Sequence, residues 1–185
     1  MQAQSDLFDG AISYSDELPL EWLPAGSSTS PSDALRQAES NLRLLQTIAQ
    51  LEDRAALNDD PDPNELELAR LHAKVDALIF IVGAVLPRLV RLPPVRPVRI
   101  SWCGVVWRTT GPELAVGDSG IVEIYLHPAV PKPLRLGARI VRAEEGWVRA
   151  DFSENLQLCQ QALERQVFLR HRRAVAERRN LERRS

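Results

Sequence analysis

Cysteine and histidine are both scarce in this chain, which limits the chemistry it can carry. Only Cys103 and Cys159 are present, and their spacing is not that of a CxxC pair. We interpret them as semi-buried thiols, which fits a cytoplasmic location. The three histidines, at positions 72, 127 and 171, are scattered along the chain and predict no metal cluster. We therefore expect no cofactor.

Motifs of catalysis, secretion and membrane insertion are also missing. The sequence has no G-x-x-x-x-G-K-[ST] or G-x-G-x-x-G loop and no Ser-His-Asp or Cys-His pairing. A strand-to-strand turn explains the two glycines of AVGDSGIVEI, residues 115–124. The longest apolar block, ALIFIVGAVL at 77–86, is far shorter than a membrane span, and no basic start precedes an apolar run at the N-terminus. These absences predict a protein that is not an enzyme and does not insert into a membrane.

Charge is present but unevenly distributed. Residues 1–65 hold thirteen acidic and three basic side chains, whereas residues 66–185 hold twenty basic and twelve acidic ones. Such an asymmetry can steer partners, or it can let one end of the chain fold back on the other.

Residues 1–30 form an acidic segment rich in Ser and Gly, with Phe8, Tyr14 and Trp22 among its acids. We predict that this segment is flexible. The alternative is a short extended segment that docks on the chain's own basic surface or on a partner.

Residues 31–91 predict a pair of long helices joined by the breaker cluster NDDPDP (58–63). In the first helix, at 32–57, Ser30 can cap the N-terminus and Pro31 suits the first helical position. In the second, at 63–90, Asp62 can cap and Glu65 completes a capping box. Pro87 lies near the end of the second helix, at a position where a proline kinks or terminates a helix.

The second helix carries a heptad-like apolar stripe that predicts self-association. Its apolar positions alternate steps of three and four: Leu68, Leu71, Val75, Leu78, Val82, Val85 and Leu89. The stripe widens around 78–86, which favours a bundle of more than two helices. We expect this helix to form the inner bundle of a homotetramer, with the helix at 32–57 packed outside it. The alternative is a single amphipathic helix that lies on its own domain.

The remaining chain predicts a small β-barrel followed by a helix. Residues 92–153 alternate apolar and polar side chains between glycine-containing turns, the pattern of an antiparallel barrel. In residues 154–185 the first turns should close the barrel, and the Arg-rich remainder should be solvated. The expected fold class is therefore α+β, a small antiparallel barrel preceded by two long helices and closed by a C-terminal helix.

The order of these parts resembles the PilZ family of cyclic di-GMP receptors over about residues 90–179. The resemblance rests on the basic segment VRLPPVRPVR, the Ser-x-x-Gly of ISWCGV, the strand VEIYLHP, the hairpin LRLGARIVRAEEGWVRADF and the closing helix LERQVFLRHRR. Heptad helices ahead of the barrel are similar to the atypical, tetramer-forming branch of that family. In PilZ domains that bind the dinucleotide, an Arg-x-x-x-Arg pair grips phosphates and a [D/N]-x-S-x-x-G turn surrounds a guanine. Carried onto this chain, the resemblance implies a PilZ-like barrel and the ligand-binding candidates Arg91, Arg96, Arg99, Ser101 and Gly104.

The chain departs from the family pattern at two points. Arg99 stands where the turn motif has Asp or Asn, and the arginines are spaced Arg91-x-x-x-x-Arg96 and Arg96-x-x-Arg99. Both departures weigh against dinucleotide binding. The alternative reading makes the arginines exposed residues paired with acids. Ser101 then serves a local hydrogen bond, and Gly104 gives the backbone its freedom.

Three functional hypotheses follow from these observations. The first is a non-enzymatic signalling adaptor, assembled as a homotetramer and linked to unidentified protein partners. The second is a receptor that binds cyclic di-GMP through the arginines in an altered geometry. The third is nucleic-acid binding through the basic C-terminal helix, although the aromatic side chains that stack on single strands are scarce there beyond Phe168.

Overall fold

A computed structural model describes residues 10–26, 31–52, 63–89, 91–109, 114–153 and 158–182. The described chain forms six strands and three helices. In chain order they are β1 (Ser13–Pro24), α1 (Pro31–Glu52), α2 (Pro63–Leu89), β2 (Val95–Ser101), β3 (Gly104–Arg108), β4 (Ser119–Ile124), β5 (Leu134–Glu144), β6 (Trp147–Phe152) and α3 (Gln160–Glu182).

The six strands close into an antiparallel barrel in the order β1-β2-β3-β6-β5-β4. The predicted α+β fold class, with a small barrel and a closing helix, is confirmed. In β4 and the first part of β5, alternation turns every second side chain inward, so that Val122 and Leu136 are buried. Strand β3 is buried along Gly104–Trp107. Closure leaves the barrel no unpaired sheet edge.

The barrel begins much earlier in the sequence than predicted. Strand β1 pairs with β2 through residues 13–19 and with β4 through residues 20–24, so it closes the barrel between them. Tyr14, Leu18 and Leu20 are buried in the core. The predicted flexibility of residues 1–30 is therefore wrong for residues 13–24, and the barrel is not confined to 92–153. Residues 1–9 and 27–30 of that segment lie outside the described residues.

Helix α1 packs against the barrel. Leu44, Leu45 and Ile48 belong to the same buried core as the strands. The side chain of Asn41 accepts a hydrogen bond from the Arg135 N–H (3.1 Å) and donates one to the Arg135 carbonyl (2.7 Å), which docks α1 along β5. The barrel covers Leu44, Leu45 and Ile48, whereas Leu35 nearer the start of α1 is exposed. That α1 packs outside a bundle of copies stays a prediction.

Helix α3 packs on the barrel with its first two turns, as predicted. Cys159, just before α3, and Leu163 and Val167 within it are buried in the core. Burial raises the pKa of the Cys159 thiol, which keeps it protonated. The Arg-rich remainder is continuously exposed only from residue 176 to 182. Its predicted solvation is wrong for Arg170, whose side chain is 19% exposed and pairs with Asp16 and Glu52.

Helix α2 presents its apolar stripe to solvent. The exposed side chains are Leu68 (49%), Leu71 (56%), Val75 (41%), Leu78 (62%), Ile81 (55%) and Val85 (42%). The side chains of Val82 and Leu89, also predicted to lie in the interface, fall outside the described residues. Pro87 does not terminate the helix, which continues to Leu89. None of the helices in the described ranges combines the length and hydropathy needed to cross a membrane.

Candidate functional site

Strand β2 separates the arginines that the sequence grouped into one site. Because side chains alternate along a strand, Arg96 lies on the face of Val98 and Ile100, whereas Arg99 lies on the opposite, outer face of the barrel. Arg96 Nη1 donates a hydrogen bond to the Arg108 carbonyl at 3.1 Å, across the neighbouring strand. Arg91 is exposed in the segment that precedes β2. The three arginines therefore do not converge as a single clamp.

Ser101 and Gly104 form the turn that joins β2 to β3. The Ser101 hydroxyl is fully buried, and its oxygen accepts hydrogen bonds from the N–H groups of Cys103 (3.2 Å) and Gly104 (3.1 Å). Its local role in the turn is confirmed. Gly104 is needed for a different reason than predicted: a Cβ there would lie 2.6 Å from the Ala150 carbonyl oxygen on β6. Close approach of the two strands, and not backbone freedom, requires the glycine.

A groove of about 560 Å³ runs along the outside of the barrel beside Arg99. We call it the outer groove; its walls are Ser15, Asp16, Glu17, Pro97, Val98, Arg99, Val106 and Trp147. Its volume is in the range of small-molecule sites. Arg99 Nε donates to the Ser13 hydroxyl at 2.8 Å, which orients the guanidinium along β1.

The charge around the outer groove is mixed. Arg149 follows Arg99 across the sheet, because both pair with Val106 of β3. Its Nε donates to Asp151 Oδ1 at 2.9 Å, so a carboxylate already partners this second guanidinium. Arg99 thus lies in the wall of the groove at the position where the family turn has an acid, whereas Ser101 and Gly104 are buried in their turn and are not among the walls of the groove.

A second polar site was missed by the sequence analysis. Arg170 of α3 donates to Asp16 Oδ2 (3.0 Å), to Glu52 Oε1 (2.6 Å) and to the Leu126 carbonyl (2.9 Å). Arg173 donates to the other oxygen of Glu52 at 2.8 Å. We call these side chains the Arg170 network. They tie together β1, the end of α1, the segment after β4, and α3.

The Arg170 network lines a cleft of about 790 Å³ that also contains Tyr14 and His127. The Arg170 guanidinium lies 5.8 Å from the centre of the Tyr14 ring. Burial raises the pKa of Tyr14 and lowers the pKa of His127, so both side chains are held in their neutral forms. Because the two carboxylates are already paired with arginines, the network serves primarily to hold the helices on the barrel. In the sequence, only the opposite charge of the two ends of the chain indicated that such ion pairs could form.

The basic helix α3 uses only part of its charge in this network. Arg165, Arg172, Arg178 and Arg179 are exposed, and the Arg172 guanidinium lies 5.8 Å from the centre of the Phe168 ring. Within the described ranges, no group of three or more His, Cys, Asp or Glu side chains is placed to hold a metal ion.

Comparison with known proteins adds a family and a fold. The sequence model of the atypical PilZ domain, described as a cyclic di-GMP receptor, matches residues 45–180. No curated protein matches the chain. A crystal structure of a pathogenic protein from Xanthomonas campestris, described as a new tetrameric PilZ domain self-assembled via an unusual helical bundle, is similar in fold, with a TM-score of 0.68. It is 23% identical, and the match covers 91% of this chain and 93% of that one.

Proposed function

Since this chain belongs to the atypical PilZ domain family, we propose that it is a non-enzymatic, cytoplasmic signalling adaptor that assembles as a homotetramer through α2. The observation that carries this proposal is the uncovered apolar stripe of that helix. The earlier resemblance to the PilZ family, drawn from the barrel strands, is confirmed by the family match.

The stripe on α2 is too long and too regular to remain in water. Its exposed members run from Leu68 to Val85, about 26 Å along the helix axis. Apolar patches of this extent on a soluble protein mark interfaces. The spacing of three and four residues fits packing against like helices, in which each side chain inserts between side chains of the facing helix.

Four copies joined in this way would carry four barrels on one helical core. Among the described side chains, those of α1 and α3 enter the buried core of the barrel and none of α2 does, so we infer that assembly through α2 leaves the barrels accessible. Because the four barrels are joined, the second and later contacts with a partner become intramolecular, and weak binding by each barrel gives strong binding overall. This supports the role of an adaptor that presents repeated docking surfaces.

Light scattering behind a sizing column tests the assembly. We expect the natural chain to elute with four times the 20.7 kDa chain mass at micromolar concentration. Val75→Asp should dissociate it, because assembly would bury an unpaired charge. Val116→Asp, at an exposed apolar position outside α2, is the matched control and should remain tetrameric. A monomeric natural chain would contradict the proposal.

A second candidate function is recognition of cyclic di-GMP in the outer groove. The groove supports it because Arg99 lies in its wall, two residues before the Ser101-x-x-Gly104 turn, and a guanidinium can pair with a phosphate or stack on a purine. The reversed charge at position 99 means that any binding must differ from the usual family geometry.

Calorimetric titration with cyclic di-GMP at near-physiological salt tests this candidate. Arg99→Ala should weaken binding by at least about tenfold, since a charge-assisted contact of roughly 1.5–3 kcal/mol is lost. Arg96→Ala is the matched control, because Arg96 lies on the opposite face of β2. Equal affinities for the natural chain and the Arg99→Ala variant would show that cyclic di-GMP does not bind through Arg99 in the outer groove.

A further inference from the structure

Three large apolar side chains are exposed at the end of the barrel where β1 starts and β2 ends. They are Ile12 (47% exposed), Trp102 (40%) and Phe168 (45%). None of them belongs to the outer groove, to the Arg170 network or to the stripe on α2. We call this surface the hairpin-tip face.

Backbone pairing and one hydrogen bond place the three side chains at the same end of the barrel. Ser13 is the Cα partner of Ser101, so their neighbours Ile12 and Trp102 follow side by side. His171 Nδ1 lies 2.7 Å from the Ser13 carbonyl oxygen, which fixes α3 against the start of β1. Phe168 lies one helical turn before His171 and shares its face of α3.

On α3 the rim of this face holds more basic than acidic side chains; Glu164, one turn before Phe168, accepts a hydrogen bond from Gln160 Nε2 at 2.9 Å. Arg172 lies over the Phe168 ring at 5.8 Å, and Arg165, one turn before Phe168, is also exposed. Tryptophan and arginine are the residue types that contribute most to protein–protein binding, above all where an apolar centre is surrounded by polar groups. A partner's carboxylates can pair with the two guanidinium groups while an apolar side chain covers the aromatic rings.

We propose that the hairpin-tip face docks an acidic peptide segment of a partner protein, one that presents a large apolar side chain between carboxylates. This deepens the adaptor role by stating what kind of partner the barrel takes. It depends on side chains outside both α2 and the outer groove. If this surface binds no peptide, the proposed tetramer and the proposed cyclic di-GMP site are unaffected. If either of those proposals fails, this one is unaffected.

The probe is a fluorescein-labelled peptide with Leu-Phe between two pairs of Asp, and binding to the full chain is followed by fluorescence anisotropy. We expect saturable binding. Trp102→Ala and Phe168→Ala should each weaken it by about tenfold or more, as for a central contact residue. Leu181→Ala, at an exposed apolar position on the same helix, is the matched control and should change nothing. Since the substituted side chains are nearly half exposed, circular dichroism should show all variants folded.

Two further probes separate the apolar contribution from charge alone. A peptide with Ser-Ser in place of Leu-Phe should lose most of the binding. A labelled single-stranded oligothymidine should bind more weakly than the first peptide at physiological salt, and Phe168→Ala should not affect it. The proposal is overturned if the first peptide shows no binding up to about 1 mM, if the Ser-Ser peptide binds equally well, or if the oligonucleotide binds more tightly and needs Phe168.

Discussion

At the scale of single residues, the turn between β2 and β3 shows how one motif can serve structure before it serves a ligand. The oxygen of the buried Ser101 hydroxyl accepts hydrogen bonds from the backbone N–H groups of Cys103 and Gly104 in the turn. Gly104 lets β3 approach β6 closely. Neither residue needs a bound molecule to explain its presence, so in this chain Ser-x-x-Gly alone does not identify a receptor.

Gly104→Ala should destabilise the barrel by roughly 1–3 kcal/mol, because the added methyl group would overlap the Ala150 carbonyl and force β3 and β6 apart. Chemical denaturation followed by circular dichroism measures the change. Gly26→Ala is the control, since nothing lies within 4 Å of a Cβ at that position. Equal losses in the two variants would show that the strand contact is not the cause.

His127 should make the fold sensitive to mild acid. Burial and the nearby Arg170 lower its pKa, against the opposing effect of Glu52. Nδ1 also accepts the Ala129 N–H at 3.2 Å, which requires an unprotonated nitrogen. The unfolded chain therefore binds the proton more readily, so the contribution of His127 to stability is complete above its ordinary pKa of 6.5 and is lost as the pH falls below that value.

In the variant His127→Asn, the free energy of unfolding should fall less steeply between about pH 7 and pH 5 than in the natural chain. Denaturant titrations at several pH values give this slope. If the natural chain and His127→Asn lost stability in parallel, the acid sensitivity would have to come from other groups.

At the scale of elements, most strands and helices could be predicted because their periodicity is undisturbed. Strand β5 alternates from Leu134 to Ile140, where its register with β6 shifts, and α2 begins at Pro63, as its sequence predicts. Strand β1 was hidden because acids and prolines interrupt its apolar positions, and acidic composition is typical of flexible segments. Only the closed barrel reveals why Leu18 and Leu20 alternate with Glu17 and Glu21: the leucines face the core and the glutamates face water.

Leu20→Ala tests whether β1 belongs to the core. The side chain is 1% exposed, and deleting it should cost roughly 2–5 kcal/mol through lost burial and the cavity left behind. Val116→Ala, at a 65% exposed position, should change stability by less than about 0.5 kcal/mol. Both values come from the same denaturation experiment. A Leu20→Ala loss as small as that of the control would place β1 outside the cooperative unit.

The candidate site was less predictable than the elements that build it. The spacing of Arg96 and Arg99 could not reveal that a regular strand would point them to opposite faces. The Arg170 network joins Asp16, Glu52 and Arg170 across more than a hundred residues of sequence, and only the packing of α1 and α3 brings them together. Local patterns predict elements, whereas convergence of side chains depends on how those elements pack.

At the scale of the whole molecule, the acidic first third and the basic last third fold against each other. Asp16 and Glu52 form ion pairs with Arg170 and Arg173, so part of the opposite charge of the two segments is neutralised within one chain. What remains exposed is the apolar stripe of α2 and the arginines of α3. The proposed assembly and the proposed partner binding would therefore use different side chains, those of α2 in the first case and those of α3 and the barrel in the second.

If α2 joins the copies, stability must depend on protein concentration. The midpoint of thermal unfolding should rise as concentration is raised about a hundredfold, because association binds the folded chain and not the unfolded one. The Val75→Asp variant should show no such rise. A concentration-independent midpoint in the natural chain, measured by calorimetry, would argue against the assembly.

The place of β1 has a further consequence during synthesis. Its first partner, β2, begins at Val95, after both α1 and α2 have been made. At about 5–20 residues per second, roughly 4–15 s pass between the emergence of the two strands from the ribosome. Through that interval β1 has no strand to pair with. Its acids and prolines, which hid it from sequence reasoning, are the residue types that keep a waiting strand from pairing with the wrong chain.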